Sequence, residues 1–194
     1  MKFIKYIVII AVALSTFTSC RKGPEDPLLS LTTRKNRISK VWEAYSYRVN
    51  GVELLEEDKI ESRNIADCGT QSIHTLTNRD IIMEFTKDGG FREVFTTTDQ
   101  ITAKTSVSSE ACEEFNYSIV EKDEDADIGK WNFAGGTGNT LRREQVFIYK
   151  EETKKGHVWD IVRLAKEELK IKRTYIKNGE STFTVEEIFF YPMK

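Results

Sequence analysis

Long apolar runs, proline and histidine are scarce in this chain. The longest uncharged apolar stretch, residues 6–14, falls well short of the roughly 20 residues that a transmembrane helix needs. The two histidines, His74 and His157, belong to no metal-binding motif. The chain also lacks the Gly-x-Ser-x-Gly sequence that presents a hydrolase serine. These absences argue against a membrane-spanning helix, a metal site and a serine hydrolase.

The charge of the chain is nearly balanced, with 29 Lys and Arg against 31 Asp and Glu and a net charge of −2. A nucleic-acid surface needs clustered basic residues, so we expect no nucleic-acid partner. The acidic residues are numerous, and no pattern singles out a catalytic pair among them. We therefore expect a protein that is not an enzyme and that uses no cofactor.

The first twenty residues have the pattern of an export signal. Lys2 and Lys5 precede the apolar residues 6–14, and small and polar residues follow as far as Cys20. The box Phe-Thr-Ser-Cys at 17–20 resembles the lipidation site of bacterial lipoprotein signal peptides. The resemblance implies cleavage before Cys20 and acylation of its thiol, and two or more acyl chains make a durable anchor. An ordinary secretory signal, with an incidental cysteine, is the alternative.

This signal divides the chain into three segments. Residues 1–19 are the predicted signal peptide, and residues 20–37, which are polar and contain two prolines, are the predicted lipidated N-terminus and flexible tether. Residues 38–194 are predicted to form one domain. Acyl chains would attach it to the outer membrane, on the periplasmic face or at the cell surface.

Apart from Cys20, the chain has two cysteines, Cys68 and Cys112. An even number of cysteines in an exported chain favours a disulfide between them. They lie before and after a hairpin predicted over residues 80–96. The two strands of a hairpin begin and end at the same end of the sheet, so the segments that carry the cysteines start close together. Closing this loop would stabilise the fold by about 4 kcal/mol. Two unpaired thiols in loops are the alternative.

From residue 40 onward, the sequence predicts strands separated by short turns. Residues 41–49 are rich in aromatic and β-branched side chains and end at the turn pair Asn50-Gly51. The clearest hairpin joins residues 81–86 to residues 91–96 across Lys-Asp-Gly-Gly. Further strands are predicted at 114–120, 129–133, 141–151, 157–164, 168–176 and 181–191.

The strand and turn pattern predicts an all-β fold. Eight to ten strands with short turns favour an antiparallel up-and-down β-barrel of about eight strands, and a β-sandwich fits the same spacing. Residues 56–79 and 97–113 are predicted to be long connections, and a short helix is predicted within residues 28–38.

An acidic segment, residues 121–129, is predicted to be a solvated turn. Its alternating Asp123, Asp125 and Asp127 partly match the ligand spacing of a calcium loop. The glycine is one position late and the final glutamate is missing, so we expect no metal there.

Several motifs occur in the order found in one family. They are residues 38–42, the hairpin at 85–91, Gly-Lys-Trp-Asn-Phe at 129–133, and the segments 159–164 and 168–171. Together they look like those of the lipocalin-like domain lipoproteins of Bacteroidetes-type bacteria. The resemblance covers residues 38–191 and implies an eight-stranded up-and-down barrel, in a family whose members mostly have no assigned biochemistry.

Aromatic side chains in predicted strands are the candidate ligand-binding residues. They are Trp42, Tyr45, Phe85, Phe91, Trp131 and Trp159. Such residues usually pack a core, but in an incompletely filled barrel they line a site for a small apolar or amphipathic ligand. A filled barrel would instead indicate an interaction module of an envelope protein assembly. The histidines are expected at the surface, His74 in a loop and His157 at the start of a strand.

Lipidation of Cys20 is open to a direct test. Cells that express the protein and receive radioactive palmitate should label the wild-type chain and leave the Cys20→Ser variant unlabelled, because the variant lacks the acceptor thiol. The variant Cys68→Ser is the control and should label fully. Equal label in the wild type and Cys20→Ser would contradict the prediction.

Overall fold

The computed structural model describes residues 33–65, 69–107, 116–134, 145–177 and 179–193. These residues form one helix, α1 (Arg34–Ile38), and ten strands. The strands are β1 (Val41–Val49), β2 (Val52–Glu53), β3 (Glu56–Ile65), β4 (Gly69–Phe85), β5 (Gly90–Val107), β6 (Tyr117–Ala134), β7 (Gln145–Lys150), β8 (Lys155–Leu164), β9 (Leu169–Ile176) and β10 (Phe183–Pro192). Among the described residues, no helix has the length and apolar character to cross a bilayer.

Eight of the strands close into an antiparallel barrel. From β4 to β10 each strand pairs with the next one along the chain, and β1 pairs with both β10 and β4. The β1–β4 contact matches Val41 with Glu84, Trp42 with Met83 and Glu43 with Ile82. This arrangement confirms the predicted up-and-down barrel and excludes the sandwich.

Part of the sheet continues beyond one end of the barrel as a four-stranded extension, which we call the arm. The arm consists of β3 and residues 69–80, 96–107 and 117–124 of β4, β5 and β6. The prediction of long connections at 56–79 and 97–113 is therefore wrong, because the described residues of both segments form strands. These segments are polar on both faces, so they lack the alternation that indicates a strand, although their threonines favour one.

The acidic residues 121–129 lie inside β6 and do not form the predicted turn. Asp123, Asp125 and Asp127 pair in register with Thr97, Phe95 and Glu93 of β5. Charged residues are typical of an edge strand, where they discourage pairing with another chain. A segment so rich in charge has the composition of a loop, which is why a turn was predicted here. The extended backbone does not form the calcium-loop geometry.

The helix lies at the end of the barrel opposite the arm, and we call the two ends the helix end and the arm end. Arg37 Nη1 donates to the carbonyl of Leu164 at 2.5 Å, and Trp42 Nε1 donates to the carbonyl of Ile38 at 2.8 Å. Arg34 and Arg37 are buried. The predicted helix is confirmed, and the folded region includes residues 33–37, which the sequence assigned to the tether.

Large buried apolar side chains pack together at the helix end. Trp42, Phe85 and Phe190 are at most 1% exposed, and the ring of Trp131 meets that of Phe85 edge-on at 5.6 Å. Close packing of these side chains holds the eight strands in one register.

The three cysteines lie outside the described residues. Lipidation of Cys20 and a disulfide between Cys68 and Cys112 therefore remain predictions.

A glycine marks the position where β6 enters the barrel beside β7. A Cβ atom on Gly129 would lie 1.8 Å from the carbonyl oxygen of Tyr149 and 3.2 Å from the Cα of Lys150. Only a residue without a side chain permits this backbone contact, which is typical of bends in barrels.

The variant Gly129→Ala should lower the free energy of unfolding by about 3 kcal/mol, because two backbones would have to separate. Urea denaturation measures the change. The control is Gly156→Ala, whose new methyl group would meet only the ring of Phe147, which is partly exposed and able to rotate. Equal stability of the two variants would contradict the assigned role of Gly129.

Candidate functional site

A cavity of about 220 Å³ occupies the arm end of the barrel. Side chains from all eight strands of the barrel surround it, some of them apolar and some charged or titratable. The apolar and aromatic wall consists of Tyr47, Ile81, Met83, Phe91, Phe95, Ile148, Trp159 and Ile188. The charged and titratable wall consists of Glu93, Asp125, Lys150, His157, Arg173 and Glu186.

One cluster of charges lies between β5, β6 and β7. Lys150 forms an ion pair with Glu93, and its Nζ lies 3.5 Å from Oδ2 of Asp127. Glu93 and Asp127 stand directly opposite each other in the β5–β6 register, so the ammonium group separates two neighbouring carboxylates. We call Glu93, Asp125, Asp127 and Lys150 the acidic cluster.

Asp127 is the most deeply buried carboxylate of this cluster. The residue is 7% exposed, and its Oδ1 is buried without a hydrogen-bond partner among the described residues. A buried carboxylate oxygen that accepts no hydrogen bond destabilises the fold, since the desolvation of the charge is only partly compensated. Asp127 does not line the cavity, and this oxygen is shielded from it.

A second network joins β1, β9 and β10 on the opposite side of the cavity. Arg173 forms an ion pair with Glu186, and the hydroxyl of Tyr47 donates to Oε1 of Glu186 at 2.6 Å. The guanidinium carbon of Arg173 lies 4.6 Å from the ring centre of Trp159 and 4.7 Å from that of Tyr175. These contacts hold Arg173 in one orientation, with its charge shared between a carboxylate and two rings.

Burial raises the pKa of Tyr47, and the hydrogen bond to Glu186 raises it further. The phenol therefore stays protonated at every physiological pH. It continues to donate to Glu186, so this side of the cavity keeps the same hydrogen-bond pattern when the pH changes.

His157 lies in the cavity wall, where it is half-buried, so the expectation of a surface histidine is wrong. Desolvation lowers the pKa of its imidazole, and the positive charges of Arg173 and Lys150 lower it further. The ring is therefore neutral at neutral pH. His74 is exposed as expected, but it lies in β4, with its Nε2 atom 2.6 Å from Oδ1 of Asp58.

The structure separates the six aromatic candidates into three groups. Phe91 and Trp159 line the cavity. Trp42, Phe85 and Trp131 are buried in the core cluster and do not line it.

Tyr45 lies on the outer surface of the barrel. Its ring is 45% exposed and stacks on the ring of Tyr191 at 5.7 Å. Its hydroxyl donates to Glu168, and partial burial together with this hydrogen bond raises the pKa of Tyr45 to about 12. A β-bulge in β1 between Ala44 and Ser46 shifts the alternation, which places Tyr45 outside and Tyr47 inside.

The site prediction from sequence included only aromatic side chains, so it missed the charged residues of the cavity. The signal was present in the alternation. Glu93 stands between Phe91 and Phe95 on the same face of β5, and Glu186 lies two positions before Ile188. A charge in phase with buried apolar neighbours indicates a charge that faces the interior.

The chain matches no protein-family model, and neither a curated protein nor a solved structure is detectably similar to it. In the part of the chain that the structure describes, no three His, Cys, Asp or Glu side chains are grouped as metal ligands would be. The function is therefore argued from the cavity itself.

The neutral state of His157 generates a prediction about pH. In a nuclear magnetic resonance titration, the His157 ring should titrate below the ordinary value of 6.5. Because the folded-state pKa is lower than the unfolded one, the unfolded chain binds more protons in this range. The contribution of His157 to stability is therefore present above pH 6.5 and is lost as the pH falls through the folded-state value.

The variant Arg173→Gln should raise the pKa of His157 towards its ordinary value, because it removes the positive charge that lowers this pKa most. Arg92→Gln, on the exposed face of β5, is the control and should leave it unchanged. A His157 titration at or above 6.5 in the wild type would show that the ring is solvated.

Proposed function

We propose that this protein binds a small amphipathic ligand inside its barrel, as a lipocalin-like lipoprotein of the cell envelope. The observation that carries the proposal is the cavity at the arm end, whose wall is apolar on some strands and charged on others. Ligand sites of proteins typically combine an apolar lining with a few polar groups that orient the ligand.

The size of the cavity indicates the size of the ligand. Drug-sized ligands occupy pockets of about 300–1,000 Å³, whereas an apolar cavity of about 150 Å³ accepts benzene. At about 220 Å³, this cavity suits a single ring with a short polar substituent. Phe91, Met83 and Trp159 supply apolar contacts for the ring.

The cavity is also preorganised. The hydrogen bond from Tyr47 to Glu186 and the ion pair of Arg173 order one wall before any ligand arrives. A wall that is already ordered loses little conformational entropy on binding, which favours affinity for a small molecule.

The proposed location follows from the N-terminal signal and not from the barrel. The basic residues, the apolar stretch and the box ending in Cys20 support export and acylation, and the strand motifs support the family resemblance. Acyl chains would hold the barrel close to a membrane, where amphipathic molecules are concentrated.

The arm favours a second candidate function, a module that binds another protein of an envelope assembly. Ile60 and Val120 are 68% and 64% exposed, and β3 and the arm part of β6 each have one edge that pairs with no described strand. Unpaired edges and exposed apolar side chains are features of interaction surfaces.

Filling the cavity tests the proposed ligand site. The probe is 2-phenylethanol, and its binding to the full chain is measured by titration calorimetry. Ile188→Trp adds a large ring to the cavity wall and should weaken binding at least tenfold, because the ring would occupy the ligand's volume.

The matched control is Val158→Trp, which places the same ring on the outer face of β8, where Val158 is 45% exposed. Circular dichroism establishes that both variants keep the barrel. Equal affinity of the two variants, or no binding by the wild type, would contradict a ligand site in the cavity and favour the interaction module.

A further inference from the structure

We propose that the helix end of the barrel binds the surface of an anionic phospholipid bilayer, so that the arm and the cavity point away from the membrane. This goes beyond the ligand site and rests on the membrane attachment in the proposed function. Three features support it: the opposite charges of the two ends of the molecule, the contacts that gather lysines at the helix end, and the position of the residue that follows the predicted tether.

The two ends of the molecule carry opposite charge. The segments at the helix end, residues 33–40, 86–89 and 165–168, contain six Lys or Arg and three carboxylates. The arm contains five Lys or Arg and nine carboxylates. A chain with a net charge of only −2 therefore has a positive end and a negative end.

Contacts with α1 and with the residue before β1 bring the three segments of the helix end together. The carbonyl of Lys40 accepts a backbone hydrogen bond of 3.0 Å from Phe85, the last residue of β4. The Nζ atom of Lys40 donates to the carbonyl of Lys166, and Arg37 donates to the carbonyl of Leu164. The turn after β4 and the loop before β9 therefore both adjoin Lys40.

Four lysines of these segments form what we call the basic face: Lys35, Lys40, Lys87 and Lys166. All except the half-buried Lys40 are exposed. Hydrogen bonds from Thr86 and from the backbone of the turn lower the pKa of Asp88, and the positive charge of Lys35 lowers it further. The helix thus lies close to the turn that carries Lys87.

Nearby carboxylates neutralise the basic face only in part. Glu168 lies 2.6 Å from Nε of Arg163 and 3.6 Å from Nζ of Lys170, so residues outside the face already balance its charge. Glu167 lies 3.6 Å from Nζ of Lys166, but the two side chains are 71% and 87% exposed. An ion pair so exposed is weak, because water screens it.

The other three lysines of the basic face form no ion pair with any residue that the structure describes. Anionic headgroups at a bilayer surface attract such lysines, and each lysine near the surface adds to the attraction. Arg34 and Arg37 are buried directly behind the face, and their charges raise the positive potential there. A surface of phosphate groups therefore complements the helix end.

The chain also approaches the membrane from this end. Thr33 caps the first turn of α1, and Cys20, the predicted acylation site, lies 13 positions earlier. A segment of this length spans at most about 45 Å, so the acyl chains would keep the basic face near the bilayer. A short tether gives a high effective concentration, at which even a weak attraction holds the face against the headgroups.

The arm does not fit the same surface. Anionic headgroups would repel its excess of carboxylates. Attraction at one end and repulsion at the other orient a molecule in an electric field, here with the helix end towards the lipid. The arm end, with the cavity, would therefore face the aqueous phase.

Paramagnetic relaxation tests the orientation of the protein as cells produce it, bound to lipid nanodiscs that carry gadolinium chelates on some headgroups. Discs of phosphatidylcholine are compared with discs of phosphatidylglycerol. The relaxation of the α1 amides should be at least twofold stronger on the anionic discs, and the arm amides should show no such increase. At about 1 M salt, where the screening length is about 3 Å, the difference between the discs should disappear.

A pair of triple variants tests whether the basic face causes this difference. The test variant replaces three exposed lysines of the face: Lys35→Gln, Lys87→Gln and Lys166→Gln. The matched control removes the same charge from three exposed positions of the arm: Lys59→Gln, Lys104→Gln and Lys122→Gln. The test variant should lose the difference between the two lipids, and the control should keep it. Circular dichroism establishes that both variants retain the barrel.

Equal relaxation of α1 on the two kinds of disc would overturn the proposal and leave an acidic macromolecule as the partner of the basic face. Loss of the difference in both triple variants would also overturn it, since the overall charge would then be decisive. Release of the protein from neutral discs would contradict the acyl anchor of the proposed function, whereas relaxation on the anionic discs would still decide whether the basic face binds lipid.

Discussion

Pairing between β1 and β4 is the contact on which the rest of the structure depends. Three residue pairs make it, and a backbone hydrogen bond of 3.0 Å from Phe85 to the carbonyl of Lys40 extends it. Without this contact the sheet would be open, with two free edges and no enclosed volume. Trp42, fully buried at the closure, also bonds to Ile38 and so joins α1 to the barrel.

Closure creates an interior that is divided along the barrel axis. At the helix end, apolar side chains exclude water and hold the register of the strands, which provides most of the stabilising burial. At the arm end the same strand faces carry charged residues, among which ion pairs join Lys150 to Glu93 and Arg173 to Glu186. The packed end thus positions the polar end, because a side chain two positions along a fixed strand has little freedom to move.

Asp127 weakens the barrel behind the cavity wall. A buried carboxylate beside Glu93 is unfavourable for folding, and Lys150 only partly compensates it. The strands of the arm are exposed and polar, so they add little buried surface. They extend the sheet beyond the arm end of the barrel.

The sequence by itself determined the all-β class, the hairpin around Lys87–Gly90 and the helix before β1, because turn residues and alternation act locally. It favoured a barrel, but a sandwich fitted the same turn spacing, and only the pairing of β1 with β4 decided between them. It did not determine the arm, since residues exposed on both faces show no alternation. The bulge beside Tyr45 and the inward position of Glu93 were decided only by the tertiary structure. Which face of a strand is the inside depends on ring closure, and closure joins residues that lie far apart in the chain.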